Sequence, residues 1–240
     1  MTEPPDASMR AYWDEAARTN AAWYVDTSLD YDSPDLERFF ETGRVIVNEA
    51  LEGSTLSPPR FGCAVEIGSG LGRVCRALAE RFERVVGVDI SPEMVARAHE
   101  LVPDDRIAFH VGDGASLAPV ADRSADLVLT FTVFQHIPST KIIEGYIHEA
   151  GRVLGPRGVF VFQWNNTPGR LRWAARRKTL ELLQRTGLRT ERYRRHAPAF
   201  LGSRVSVARV RRALAAGKLE LVHTKGLGTL YAWAWAVKRA

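Results

Sequence analysis

From Cys63 to Trp164 the apolar positions form short runs separated by helical patterns. The runs are 63–68 (CAVEIG), 84–90 (RVVGVDI), 107–113 (IAFHVGD), 125–134 (ADLVLTFTVF) and 159–164 (VFVFQW). Between them, 72–82, 92–102 and 139–154 place apolar residues at helical spacing, and a GPRG turn follows the last. Runs apolar on both faces, alternating with amphipathic helices, predict a doubly wound, mostly parallel α/β sheet. Upstream, 9–23 reads as a helix and VDTSLDYDSPD as a solvated turn. A second helix is expected to be capped by Ser33, with Pro34 in its first turn, and to run to Gly53. Downstream come a helix at 170–185, a loop through HAPAFLGSR and a helix at 206–217. Strands 219–224 and 229–239, joined by KGLG, then close the chain as an antiparallel hairpin. In the last strand Tyr231, Trp233, Trp235 and Val237 face one way and Leu230, Ala232, Ala234 and Ala236 the other. Seven strands result, with a helical cap over 1–60, a main domain over 61–240 and a helical insertion at about 165–215.

Charge changes this picture at one place. Residues 165–240 hold 18 Lys and Arg against 3 Asp and Glu, a balance of +15, while residues 1–164 hold 15 against 25, or −10. The basic tail is either an arginine-rich solvated face or a surface for an anionic partner. No apolar run approaches the roughly 18 residues that span a bilayer, and the start lacks a signal-peptide pattern. Cys63 and Cys75 cannot build a disulfide framework and have no histidine at ligand spacing. A cytoplasmic protein with no membrane partner and no metal is the expectation.

The chemistry concentrates where the first run enters Glu66-Ile-Gly68-Ser-Gly70-Leu-Gly72-Arg73 and a helix opens. Glycines at this spacing permit a tight turn and close backbone approach to a ligand. Asp89 ends the second run 17 residues after Gly72, where a carboxylate can accept both hydroxyls of a ribose. The pattern fits a nicotinamide dinucleotide or S-adenosylmethionine (SAM). A carboxylate at the head of the loop would repel a pyrophosphate and suit the ammonium of a methionine tail.

With VEIGSGLGR, VVGVDISPEMV, HVGDGASL, ADLVLTFTVFQHI and HEAGRVLGPRGVFVF in order over about 63–164, the chain resembles the class I SAM-dependent methyltransferases. The resemblance implies a Rossmann-like fold with an antiparallel last strand, SAM as cofactor and S-adenosylhomocysteine (SAH) as product. It implies that Glu66, Gly68 and Gly70 form the methionine side of the pocket, and that Asp89 holds the ribose. Ile90 and Met94 would flank the adenine, Asp113 would accept from its amino group beside Gly114 and Ala115, and Phe131 would pack near the sulfonium. Gly72, Arg73 and Tyr12 complete the expected cofactor set.

His136, just beyond the fourth strand, is the candidate general base for an acceptor hydroxyl, with Gln135 beside it. The alternative is a histidine that caps the next helix. Asn165 and Asn166 follow the fifth strand, where amides suit a polar acceptor. His196 and His223 are weaker candidates. Tyr12, Trp13, Trp23 and Tyr24 make either a lid or a hydrophobic staple onto the sheet. The leading reading is methyl transfer to an O or N atom of a polar small molecule, which can be anionic. An RNA-directed enzyme and a non-catalytic SAM-binding protein are the alternatives.

Overall fold

The structure, a computed structural model, describes residues 5–169 and 202–239. Its elements run α1 (Pro5–Val25), α2 (Leu36–Glu52), β1 (Cys63–Ile67), α3 (Arg73–Ala79), β2 (Arg84–Asp89), α4 (Pro92–Leu101) and β3 (Ile107–Val111). They continue with β4 (Ala125–Thr130), α5 (Thr140–Val153), β5 (Leu154–Trp164), α6 (Val207–Ala216), β6 (Leu219–Lys225) and β7 (Ala232–Lys238). The seven strands form one sheet in the order β3-β2-β1-β4-β5-β7-β6. β1 to β5 are parallel, and β7 lies antiparallel between β5 and β6. This is the doubly wound sheet with a reversed hairpin that the pattern predicts. The helix expected at 170–185, His196 and most of the basic insertion lie outside the described residues.

The continuous apolar runs are explained by helices on both faces. Phe160, Phe162 and Trp164 of β5 join Ile143, Ile147 and Ala150 of α5 and Val210 and Leu214 of α6 in one core. Val159 and Val161, with Trp233 and Trp235 of β7, join Ile46, Val47, Val74 and Leu78 of α2 and α3 in the other. Indoles therefore face one side of β7 and alanines the other, as strand alternation requires. Trp235 Nε1 donates to the Ala50 carbonyl at 2.8 Å, tying α2 to the sheet.

Four boundaries depart from the sequence expectation. β4 stops at Thr130, because Thr132 adopts φ 54° and turns the chain out of the sheet into a 3-10 turn over Phe134–His136. GPRG is part of β5, whose irregular start carries Arg157 at φ 63° and a register shift opposite β4. The cap of α2 is Asp35, whose carboxylate accepts from Arg38 N at 3.0 Å, while Ser33 N donates to Asp30 in the preceding turn and Pro34 stays outside the helix. β7 begins at Ala232, which leaves Tyr231 outside the strand and exposed.

α1 lies over α4. Arg18 pairs with Glu93 at 2.8 Å, and Asp14 accepts from the Ser91 hydroxyl at 2.5 Å. Near its end Asn20 (φ −162°, ψ 78°) breaks the helix, donating to the Tyr31 carbonyl at 2.5 Å and accepting from Trp23 N at 3.2 Å. Among the described residues no helix is long and apolar enough to cross a membrane.

Candidate active site

A cleft opens at the carboxyl ends of β1, β2 and β4, where open parallel sheets bind ligands. The β1–α3 loop forms its floor. Gly68 has φ +75°, and a Cβ there would meet Val133 Cγ2 at 2.3 Å, so only glycine keeps both the turn and the close packing against the β4 loop. From the end of β2, Asp89 is fixed at both oxygens, Oδ2 by Gly70 N at 2.8 Å and Oδ1 by Ser91 N at 2.9 Å. Burial raises the Asp89 carboxyl above its ordinary value, and these two N–H groups oppose that rise.

Glu66, the last-but-one residue of β1, lines the cleft yet is almost fully buried. Its Oε2 accepts from the Cys75 thiol at 2.9 Å. Burial pushes the carboxyl up to about 8; Cys75 and the charge of Arg73 lower it and Asp89 raises it further. A carboxyl with that value is mostly protonated at pH 7.

Arg73 opens α3 and is buried against the cleft, but its donors are directed elsewhere. Nη1 reaches Asp26 Oδ2 at 2.6 Å and Thr42 Oγ1 at 2.7 Å, and Nη2 the Val25 carbonyl at 3.3 Å. The guanidinium also lies 5.3 Å from the Phe39 ring and 5.8 Å from that of Phe131. It fastens the N-terminal segment to the glycine loop.

α1 and the segment after it roof the cleft with Met9, Trp13, Tyr24 and Val25. The Trp13 ring stands 5.7 Å from His136, edge to face, and His136 lines the cleft from the 3-10 turn. Phe131 lines it too, 5.5 Å from Trp233. Among the described residues the donor set thus offers two carboxylates, and its one arginine is committed to protein acceptors. Such a site suits an ammonium and a pair of hydroxyls and opposes a pyrophosphate. Ser69 adds a buried hydroxyl at the cleft that has no partner among the described residues.

Residues 65–162 match the model of a methyltransferase domain. A 2-methyl-6-phytyl-1,4-hydroquinone methyltransferase of Synechocystis is 28% identical over 172 residues, 65% of this chain and 53% of that protein. A trans-aconitate 2-methyltransferase of Variovorax paradoxus is 35% identical over 137 residues, 56% of this chain and 50% of that protein. The chain spans about half the length of these relatives. A solved magnesium protoporphyrin IX methyltransferase from Synechocystis with bound SAH shares the fold at TM-score 0.62 and 18% identity, covering 98% of this chain and 100% of that one. Over residues 65–162 the chain is similar to SAM-dependent methyltransferases, and it shares their fold.

The site residues expected from the sequence sort into two groups. Glu66, Gly68, Gly70, Arg73, Asp89, Ile90, Met94, Gly114, Phe131 and His136 all line the one cleft. Gly72, Asp113, Ala115 and Tyr12 do not. Gly72 (φ +80°) caps α3, and a Cβ there would meet the Phe109 ring at 2.7 Å. Asp113 is exposed and closes its own turn, accepting from Ala115 N at 2.8 Å, Ser116 N at 2.7 Å and the Ser116 hydroxyl at 2.7 Å. Burial opposes its ionisation, but these donors hold it below the usual carboxylate range. Tyr12 packs edge to face on Trp13 and Tyr24. Asn166 binds Val205 O and Gly228 N, and Asn165 Oδ1 binds Thr167, so these amides order the chain after β5. His223 packs on Trp235 at 5.3 Å, in a structural setting. Asp26, Thr42, Asp14 and Cys75 were not legible as site residues, since each acts through a partner distant in sequence or in an element whose pattern reads as core.

Proposed function

We propose that this chain transfers a methyl group from SAM to an O or N atom of a small molecule. The carrying observation is one cleft that brings two acidic groups, a strained glycine loop and His136 under an aromatic roof. The residues present fit SAM. Glu66 would hold the ammonium, Asp89 the ribose hydroxyls, Ile90 and Met94 the adenine faces, and Phe131 would lie near the sulfonium. Gly114 lies behind Ile90, and Asp113, next to it in the chain, would receive the adenine amino group through Oδ2, which accepts from the Ser116 hydroxyl. SAM supplies a methyl group on a positively charged sulfur, open to in-line displacement. The protein's task is to align the acceptor, exclude water and accept a proton.

His136 fits that last task by its position on the cleft wall, in contact with the roof and separate from the loop that would hold the cofactor. Met9, Trp13 and Tyr24 act as a lid. The two relatives compared are named for a hydroquinone and for trans-aconitate, both small molecules and the second a carboxylate anion. They support a small-molecule acceptor, which can be anionic. The test screens hydroxylated and amino acceptors with labelled SAM, comparing wild type with His136→Ala. The expected outcome is unchanged SAM affinity with turnover lower by roughly 10² to 10⁴. Equal turnover on a hydroxyl acceptor would remove His136 from the mechanism, and no transfer to any small molecule would count against the acceptor class.

A further inference from the structure

Cys75 lies on α3, fully buried beneath the glycine loop, and no step described above uses it. Its thiol donates to Glu66 Oε2 at 2.9 Å. Gly87 on β2 makes the room: a Cβ there would meet Cys75 Sγ at 2.8 Å. The other ionisable groups that face Glu66 are Arg73 from α3 and Asp89 from β2, with His136, Tyr24 and Tyr146 on the walls of the same cleft. Arg73 directs its N–H groups to Asp26, Thr42 and Val25, so it reaches Glu66 by charge alone. Cys75 is thus the side chain that donates directly to Glu66 among the described residues.

We propose that Cys75 is a positioning residue for the cofactor, its S–H holding the Glu66 carboxyl in place and favouring the ionised form that pairs with the ammonium. The inference rests on the reading of Glu66 as the partner of that ammonium. Burial raises the Cys75 thiol well above its ordinary range, so it keeps its proton and acts only as a donor. A thiol is a weak donor, a hydroxyl a stronger one and a methyl none. Serine and alanine at 75 therefore move Glu66 in opposite directions, which loss of packing alone would not do.

The test follows the Glu66 carboxyl in the free protein by carbon NMR of labelled glutamate, assigned by the signal absent from Glu66→Gln. SAM affinity is measured by calorimetry from pH 6 to 9, and thermal unfolding checks each fold. Relative to wild type, the carboxyl midpoint moves down in Cys75→Ser and up in Cys75→Ala, each by about half to one pH unit, the size of one hydrogen bond. At pH 7 SAM binds roughly three- to fivefold tighter in the first and roughly three- to tenfold weaker in the second, following the ionised fraction. Shifts of one sign in both variants, or none in either, overturn the proposal while leaving Glu66 in place if Glu66→Gln loses affinity. If Glu66→Gln binds SAM as wild type does, the reading of Glu66 fails, and this inference with it.

Discussion

Glu66 makes the stability of the protein depend on pH in an unusual direction. Its folded-state value of about 8 stands above the ordinary 4.5 of a glutamate, because the cost of burial outweighs the Cys75 hydrogen bond and the charge of Arg73. Between those two values the folded state binds more protons than the unfolded one, so stability falls as pH rises. Integrating that linkage from pH 5.5 to 7.5 gives a loss of roughly 2.5 kcal/mol from this one group. The group is 3% exposed, which leaves little solvent screening to reduce the figure. Glu66→Gln keeps the shape and removes the titration. Urea unfolding at pH 5.5 and 7.5 should show wild type losing that amount relative to the variant. Subtracting the variant cancels Asp26 and Asp113, whose lowered values act in the opposite direction, and every other shared group. Saturating SAM should shrink the difference, since an ammonium beside the carboxylate stabilises its ionised form. Parallel curves for the two proteins would refute the reasoning, because they would mean that Glu66 titrates alike in both states.

Asp89→Ala removes a carboxylate held by two backbone donors and aimed at the cleft; SAM affinity should fall by about 1.5–3 kcal/mol in a variant that remains folded, read by calorimetry. Unchanged affinity would sink the ribose assignment. Asp26→Asn leaves the buried Arg73 guanidinium without its counter-charge, and equilibrium unfolding should show a loss of about 3 kcal/mol or more. A loss near that of an exposed ion pair would mean that Arg73 relaxes into solvent and does not fasten the cap.

How much of this was legible in the sequence depends on the range of each interaction. The sheet could be read because strand and helix periods are local, and the alternation of Trp233 and Trp235 with alanines survives intact in β7. The loop residues Glu66, Gly68, Gly70 and Asp89 could be read because their spacing carries the turn and the strand end that bring them to one cleft. Asp26 could not. It sits in a stretch that reads as solvated loop, and only its meeting with Arg73, 47 residues on, makes it a buried partner. Thr132 likewise gives no local sign of the left-handed backbone that ends β4 early and turns His136 onto the cleft wall.

Asp26 and Asp14, neither legible as a site residue in the sequence, share a consequence. Arg73 connects the loop that would hold the cofactor to the N-terminal segment, and it stacks on Phe131 at the mouth of β4. Asp14 connects the roof helix to Ser91, whose N–H fixes the Asp89 carboxylate. The roof is therefore attached to the floor of the cleft at two points, through Asp26 and through Asp14. A roof attached in this way registers the loop's conformation at both ends, so tight docking of α1 and an ordered Asp89 favour one another. Loosening either attachment should weaken SAM binding even where the altered residue touches no cofactor atom, and that coupling separates a lid from a staple that merely covers apolar surface.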